Sequence, residues 1–261
     1  MIEKNVRNYV AIAAAAAGLM VGQLALAKVI ATDEFEEGST RPVTLVVLPS
    51  QVELVKQRLL RQEAQVEESG ELEAHLTAAV AEQFRVHGYE VTVIDASAIA
   101  NDPTLQELVV DSNRRFSELL TNVGSKLGKS KNVRNREYNA GDEVKLLAAR
   151  LGVDALAFAR MTIIAPAAGV RALNFGMGGE SSMLTVTIVD GTSGDVEAYI
   201  TLPVGRRGRM FGGHDAIIEN PAEEMANYAG GTLEELPNAD PSLRVEASAD
   251  EVILDLESLL E

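Results

Sequence analysis

The chain has 261 residues, of which 46% are hydrophobic and 4% aromatic, and its formal net charge at pH 7 is −16. This length and apolar content suffice for one folded core with appendages. The acidic balance and the absence of Trp argue against nucleic-acid binding and carbohydrate stacking, because the first needs a basic surface. The absence of Cys excludes disulfides, thiolate metal sites, Cys nucleophiles and lipidation on an N-terminal Cys.

The N-terminus has the pattern of a secretory signal peptide. Lys4 and Arg7 precede an apolar and small-residue run, residues 9–27, which ends in Ala25-Leu26-Ala27. Small residues at the last and third-last positions fit the peptidase, so cleavage is predicted after Ala27. The alternative is an uncleaved inner-membrane anchor, because the run approaches the roughly 20 residues of a spanning helix. The sequence therefore predicts an exported, periplasmic protein, with membrane contact through residues 9–27 only if they are retained.

The next segment, residues 28–41, is predicted to be a flexible acidic leader, because it has no periodic apolar face. The folded domain is predicted over residues 42–236. A β-branched apolar run at 43–48 indicates a buried strand, and an amphipathic helix at 71–87 leads through Gly88 to a second strand at 89–94. This order predicts parallel strands joined by a crossover helix.

A second helix is predicted from Pro103 to Val123, and a third at 142–151 before a strand at 155–164. Strands at 184–188 and 196–201 alternate apolar and polar residues, which predicts one buried and one solvent-facing side. The turn between them contains two glycines, which predicts an antiparallel hairpin near a sheet edge. A last helix at 221–236, interrupted by Gly230-Gly231, precedes a tail, residues 237–261, with a short amphipathic end. The fold class is α/β: a mixed sheet of about five strands with helices packed on it.

Four joints between these elements carry a resemblance to a known family. They are residues 43–49 at the first strand, 86–91 at the entry to the second strand, 148–155 at the entry to the third strand and 184–194 in the hairpin. In this order they resemble the N-terminal domain of TolB and related envelope proteins, including CsgG and LpoB. The resemblance implies a TolB-like α/β fold over residues 42–236 and an assembly or partner-binding role without catalytic residues. The lack of Cys would make this a non-lipidated member.

Three groups of residues are candidates for chemistry. The histidines are His75, His87 and His214. His75 and His87 lie 12 residues apart on one predicted helix, too far to share a metal ion, since ligands on one helix lie three or four residues apart, and a surface or capping role is favoured for each histidine. The Gly-rich loop 174–182 has backbone N–H groups for an anion, which predicts a ligand site at Gly176, Gly178, Gly179 and Ser181 as the alternative function. Asp95, Asp154 and Asp190 follow or precede strands and would indicate a hydrolase only if they converge. No metal and no cofactor is predicted.

Two basic islands stand out in this acidic chain. One is the predicted loop 126–136, and the other contains Arg206, Arg207 and Arg209 beside Phe211. Arginine supplies directional donors and phenylalanine supplies apolar area, which is typical of protein docking sites. The candidate partner-binding residues are therefore Arg206, Arg207, Arg209, Phe211, Lys129, Lys131, Arg134 and Arg136. The sequence favours a non-enzymatic interaction module of the envelope, with protein partners that include a second copy of the chain through an exposed sheet edge.

Overall fold

The computed structural model describes residues 28–39, 41–57, 62–64, 66–94, 96–127, 130–166, 181–205 and 214–239. Within them the strands are β1 Lys28–Ala31, β2 Thr44–Val47, β3 Gln51–Gln57, β4 Gln62–Ala64, β5 Glu90–Val93, β6 Ala155–Pro166, β7 Ser181–Asp190 and β8 Val196–Gly205. The helices are α1 Asp33–Glu37, α2 Val66–Val86, α3 Ala96–Asn101, α4 Pro103–Leu127, α5 Ser130–Arg134, α6 Asp142–Leu151, α7 His214–Glu219 and α8 Pro221–Leu233. None of these helices has the length and apolar character needed to cross a membrane.

The strands form one mixed sheet in the order β1-β8-β7-β6-β2-β5, with β3 beside β6 and β4 beside β3. Strand β2 is parallel to β5 and β6, while β6, β7 and β8 are antiparallel neighbours. Because β6 is 12 residues long, its first half pairs with β2 and its second half with β3. The predicted α/β class, the parallel crossover and the antiparallel hairpin are confirmed. The described sheet has eight strands rather than about five.

Each face of the sheet is covered by helices. On one face, α2 inserts Leu76, Val80 and Phe84, which recur at helical spacing, and α8 packs beside it. On the other face, α4 and α6 cover the sheet, and the Phe116 ring stacks on Phe158 with 4.4 Å between ring centroids. The two apolar layers explain why β2 and the start of β6 read as continuous hydrophobic runs, since both of their faces are buried.

The prediction of a flexible leader at residues 28–41 is wrong. Lys28–Ala31 forms β1, which pairs antiparallel with β8, and α1 follows with its Phe35 side chain completely buried. Thr32 caps α1 by accepting a hydrogen bond from the Phe35 N–H at 3.2 Å. The sequence pattern is misleading because the strand has only four residues and the helix only five, so neither is long enough for a periodic apolar face to repeat.

The hairpin differs from its prediction in two ways. Its neighbour β1 occupies the sheet edge, so β8 is an inner strand. Its polar positions are also buried rather than solvent-facing: Thr187 is 0% and Glu197 2% exposed, because α5 and the β1–α1 segment cover this part of the sheet. The alternation of apolar and polar residues in these strands therefore reflects two buried faces, one apolar and one more polar, rather than one buried and one exposed face.

Two further boundaries differ from their predictions. Helix α8 runs through Gly230-Gly231 without interruption and ends at Leu233, because its opposite face is anchored by Met225, Tyr228 and Ala229 in the core. The predicted basic loop 126–136 is largely helical: α4 extends to Leu127 and α5 covers Ser130–Arg134. Tertiary packing outweighs the weak helix propensity of glycine and the lack of an apolar stripe.

Candidate functional site

The sequence-predicted loops 174–182 and 206–211 attach to the same end of the sheet. Strand β6 ends at Pro166, β7 begins at Ser181 and β8 ends at Gly205, and Ser181 pairs directly with Gly205. At the same end, Gln57 of β3 pairs with Pro166. We call the sheet end formed by these four residues the distal end. Sequence reasoning named the two loops separately, and the strand register makes their attachment points neighbours.

Most residues of these loops lie outside the described part of the chain. This holds for Gly176, Gly178 and Gly179 of the predicted ligand site and for Arg206, Arg207, Arg209 and Phe211 of the predicted docking loop. Ser181 is described only as the first residue of β7. The structure therefore fixes where both loops begin and end, through Pro166, Ser181, Gly205 and the start of α7 at His214.

Next to the distal end, the sheet presents a partly apolar surface. Met183 of β7 is 47% exposed and pairs with Thr162 of β6, while Ser182 on the opposite face is buried. On the neighbouring strand, the Arg160 guanidinium lies 3.4 Å from the Glu53 carboxylate. Met183 is thus an exposed large apolar side chain on the same sheet face as the Arg160–Glu53 ion pair.

The first basic island, in contrast, is occupied within the chain. Arg134 Nε lies 3.2 Å from the Asp33 carboxylate, and Arg134 Nη2 lies 3.5 Å from Glu36. Both acids belong to α1, so these exposed ion pairs link α5 to α1. Lys131 is exposed on α5, and Lys129 lies outside the described residues. The role of Arg134 in binding a partner stays a prediction, and its guanidinium already has acidic neighbours within the chain.

Arg136 is tied even more firmly into the fold. Its Nη2 lies 3.1 Å from Oε1 of Glu197, which is 2% exposed, and 3.8 Å from Glu34. The Thr32 hydroxyl donates a 2.5 Å hydrogen bond to the other Glu197 oxygen. Arg136 also has φ of 51°, a left-handed conformation that favours glycine, so tertiary contacts hold its backbone. Arg136 therefore links the β1–α1 segment to β8, and its role in partner binding stays a prediction.

The strand-end carboxylates are engaged with the backbone. Asp154 accepts hydrogen bonds from the N–H groups of Val43 and Thr44 at 3.1 and 2.8 Å. Asp190 accepts from the N–H groups of two residues in the hairpin turn, at 3.0 and 2.6 Å. Asp154 and Asp190 do lie close together, since the N–H of Gly191 donates to the Asp154 carbonyl, but the Asp154 carboxylate binds the start of β2 and the Asp190 carboxylate binds the hairpin turn. Asp95 lies outside the described residues.

A cleft of about 490 Å³ opens between α4 and the start of α6, beside Asn139 and Gly141. Arg115 donates to the Glu143 carboxylate at 2.9 Å and lies 3.5 Å from Glu118. The Glu143 backbone N–H and then the Arg115 guanidinium hold the pKa of Glu143 below its ordinary range. The pair is therefore ionised at neutral pH, which suits helix packing and does not suit a proton donor.

A polar group that sequence reasoning missed lies under the distal end. The Ser182 hydroxyl donates a 2.8 Å hydrogen bond to the Tyr228 hydroxyl, and Glu224 lies one helical turn before Tyr228. Glu224 is 8% exposed, and its Oε2 has no hydrogen-bond partner among the described residues. Burial, followed by the nearby Glu223, raises the pKa of Glu224. Its sequence signal was weak, because a glutamate in the first turn of a helix is ordinarily solvent-exposed.

The side chains of His75 and His87 have contacts at the protein surface. His75 Nε2 lies 3.9 Å from Glu71, His87 Nδ1 lies 3.2 Å from Asn238 Oδ1, and His214 begins α7. Within the described ranges, no group of three or more His, Cys, Asp or Glu side chains is arranged to hold a metal ion.

Comparison with known proteins adds little to this geometry. No protein-family model matches the chain, and no curated protein matches it significantly. Among solved structures, it is similar to the dodecamer of a PelC point variant from Paraburkholderia phytofirmans, with a TM-score of 0.31 and 11% sequence identity. That similarity covers 70% of this chain and 88% of the other. At this TM-score the likeness carries no argument about family or function.

Proposed function

We propose that this chain is an exported, non-enzymatic module of the cell envelope that binds a protein partner at the distal end. The observation that carries the proposal is the direct pairing of Ser181 with Gly205, because it joins the attachment points of two segments singled out independently by sequence. Connecting segments carried by a rigid sheet are a common place for binding residues. Membership of the TolB-like family and a periplasmic location are parts of this proposal.

The chemistry of the distal end indicates the kind of partner. Arg206, Arg207 and Arg209 supply positive charge to a strongly acidic chain, while Phe211 and the exposed Met183 supply apolar area. Anchors of this kind bind a surface that combines carboxylates with an apolar pocket. The engagement of Arg134 and Arg136 within the fold supports this choice, because it leaves the second basic island as the better candidate.

Site-specific photocrosslinking in cells tests the partner. A photoreactive residue at Met183 is expected to capture an envelope protein, whereas the same residue at Leu146 is not. Leu146 is a suitable control because it is also a partly exposed apolar side chain, 38% against 47%, but lies on α6. Equal yields at both positions, or no adduct at Met183, would contradict the proposal.

Charge reversal tests the contribution of the docking loop. Arg206→Glu combined with Arg209→Glu is expected to reduce the Met183 adduct at least about tenfold, as for interface hot spots. Arg114→Glu, on an exposed turn of α4, is the control and should leave the yield unchanged. The N-terminal residue and cell fraction are measured on the same sample: a periplasmic chain beginning at Lys28 is expected, and a membrane-bound chain beginning at Met1 would contradict cleavage.

A further inference from the structure

The outer edge of β5 is open in the described part of the chain. Strand β5 pairs with β2 on one side, and no described strand pairs with its other side. The Glu90 N–H donates to the Val43 carbonyl of the β2 side at 2.8 Å, so the main-chain groups of Glu90 and Thr92 face β2. Those of Val91 and Val93 therefore face outward. An unpaired edge of this kind is a template for one more strand.

The edge is also incompletely covered by side chains. Val93 is 38% exposed, and Val91, on the same face, is only partly buried against the α2 layer. At the main chain, the Arg85 guanidinium donates a long, 3.4 Å hydrogen bond to the Val91 carbonyl, an exposed contact that an incoming strand can replace.

The described chain ends beside this edge. The Ala239 N–H donates to the His87 carbonyl at 2.9 Å, and Tyr89 donates through its hydroxyl to the Pro237 carbonyl at 2.9 Å. Residues 237–239 thus lie along the turn that enters β5. The remaining 240–261 leave from this point, and a three-residue connector, 240–242, spans up to about 10 Å, which exceeds the roughly 4.8 Å between neighbouring strands.

The sequence that follows the connector has the period of a strand. Leu243, Val245 and Ala247 alternate with Arg244 and Glu246. A strand running from Ala239 alongside β5 is parallel to it and places Leu243 and Val245 on the face of Val91 and Val93. Arg244 then lies on the face of Glu90, a pair of opposite charges.

The connection also has the favoured hand. Strand β8 is parallel to β2, because β6 is parallel to β2 and two antiparallel steps separate β6 from β8. A crossover from β8 through α8 to the outside of β5 moves in the same direction, over the same face, as β2–α2–β5. The two crossover connections therefore have the same handedness. Crossovers between parallel strands of one sheet are right-handed in nearly all proteins.

We propose that residues 243–247 of the same chain bind the outer edge of β5 as an additional parallel strand. This proposal is independent of the partner-binding role of the distal end. In this arrangement the tail pairs with the β5 edge in cis, and β1 is the outer strand on the opposite side of the described sheet.

Disulfide trapping in the full chain tests the contact between the tail and β5. Because the chain has no native Cys, only the introduced cysteines can form a disulfide. Val93→Cys combined in turn with Leu243→Cys, Val245→Cys or Ala247→Cys covers the possible registers, since neighbouring strands meet disulfide geometry. An intramolecular disulfide is expected for at least one pair. The control is Leu146→Cys with the same three positions, because Leu146 is as exposed as Val93. Equal trapping with the control, or trapping only as dimers, would overturn the proposal.

Amide hydrogen exchange of the full chain gives a second, independent readout. The Val91 and Val93 amides are expected to exchange at least about tenfold more slowly in the native sequence than in the Arg244→Pro/Val245→Pro double variant. One of the two prolines removes an N–H that faces β5, whichever face the strand presents. The Glu90 and Thr92 amides face β2 and should not change. Unaltered exchange at Val91 and Val93, with the fold intact, would also overturn the proposal.

Discussion

Replacing Gly191 by Ala tests how tightly the hairpin turn is packed. Gly191 follows β7, and its N–H donates a 2.7 Å hydrogen bond to the Asp154 carbonyl. A Cβ at this position would lie 2.6 Å from the Ala148 Cβ, 2.9 Å from the Asp154 carbonyl oxygen and 3.0 Å from the Val153 carbonyl oxygen. Backbone atoms cannot rotate away, so the turn or α6 has to shift. Close packing therefore requires glycine at position 191, while Gly194, the other glycine of the turn, has a positive φ of 76°.

Overpacking of this kind costs about 1–3 kcal/mol, and a domain of this size loses about 2–4 °C per kcal/mol, so we expect Gly191→Ala to lower the midpoint of thermal unfolding by roughly 2–12 °C. Gly70→Ala is the matched control, because Gly70 lies inside α2 with no atom within 4 Å of the added Cβ. There the same substitution should stabilise by about 0.5–1 kcal/mol through helix propensity. Both variants are compared by circular dichroism melting. An unchanged midpoint for Gly191→Ala would refute the packing argument.

Three further outcomes are expected. Phe35→Ala should lower the free energy of unfolding by about 3–5 kcal/mol in urea titrations, since this ring is fully buried; a loss below about 1 kcal/mol would indicate a loosely attached segment. Arg136→Met removes the guanidinium beside the buried Glu197 carboxylate and should cost about 3–5 kcal/mol, whereas Arg134→Met, which breaks exposed pairs, should cost less than about 1 kcal/mol. Burial raises the pKa of Glu224 in the folded protein. The contribution of Glu224 to folding stability is therefore fully present below the ordinary glutamate pKa and is lost as pH rises through the pKa of Glu224 in the folded state. Glu224→Gln should therefore raise the melting midpoint at pH 7 and change it little at pH 4, and the opposite order would contradict the burial argument.

The elements that sequence predicted well are those with a long, regular period. Helix α2 carries four buried residues at helical spacing, and β5 and β6 each follow a helix that ends at a glycine, Gly88 and Gly152. Such segments specify their own secondary structure and the face that they bury, so the α/β class and the parallel crossover could be predicted from them. Short segments lack that information: β1 and α1 together contain nine residues, and their stability comes from Phe35 and from Glu197.

The candidate site divides in the same way. The sequence by itself determined which residues carry unusual chemistry, namely two basic islands and a Gly-rich loop in an acidic chain, because composition and charge are local properties. Only the tertiary structure decided what they can reach. Acids of α1 and the buried Glu197 lie opposite Arg134 and Arg136, while the register of Ser181 with Gly205 joins the ends of the other two segments. Contacts between residues tens of positions apart depend on strand order and register, which no single segment of the chain encodes.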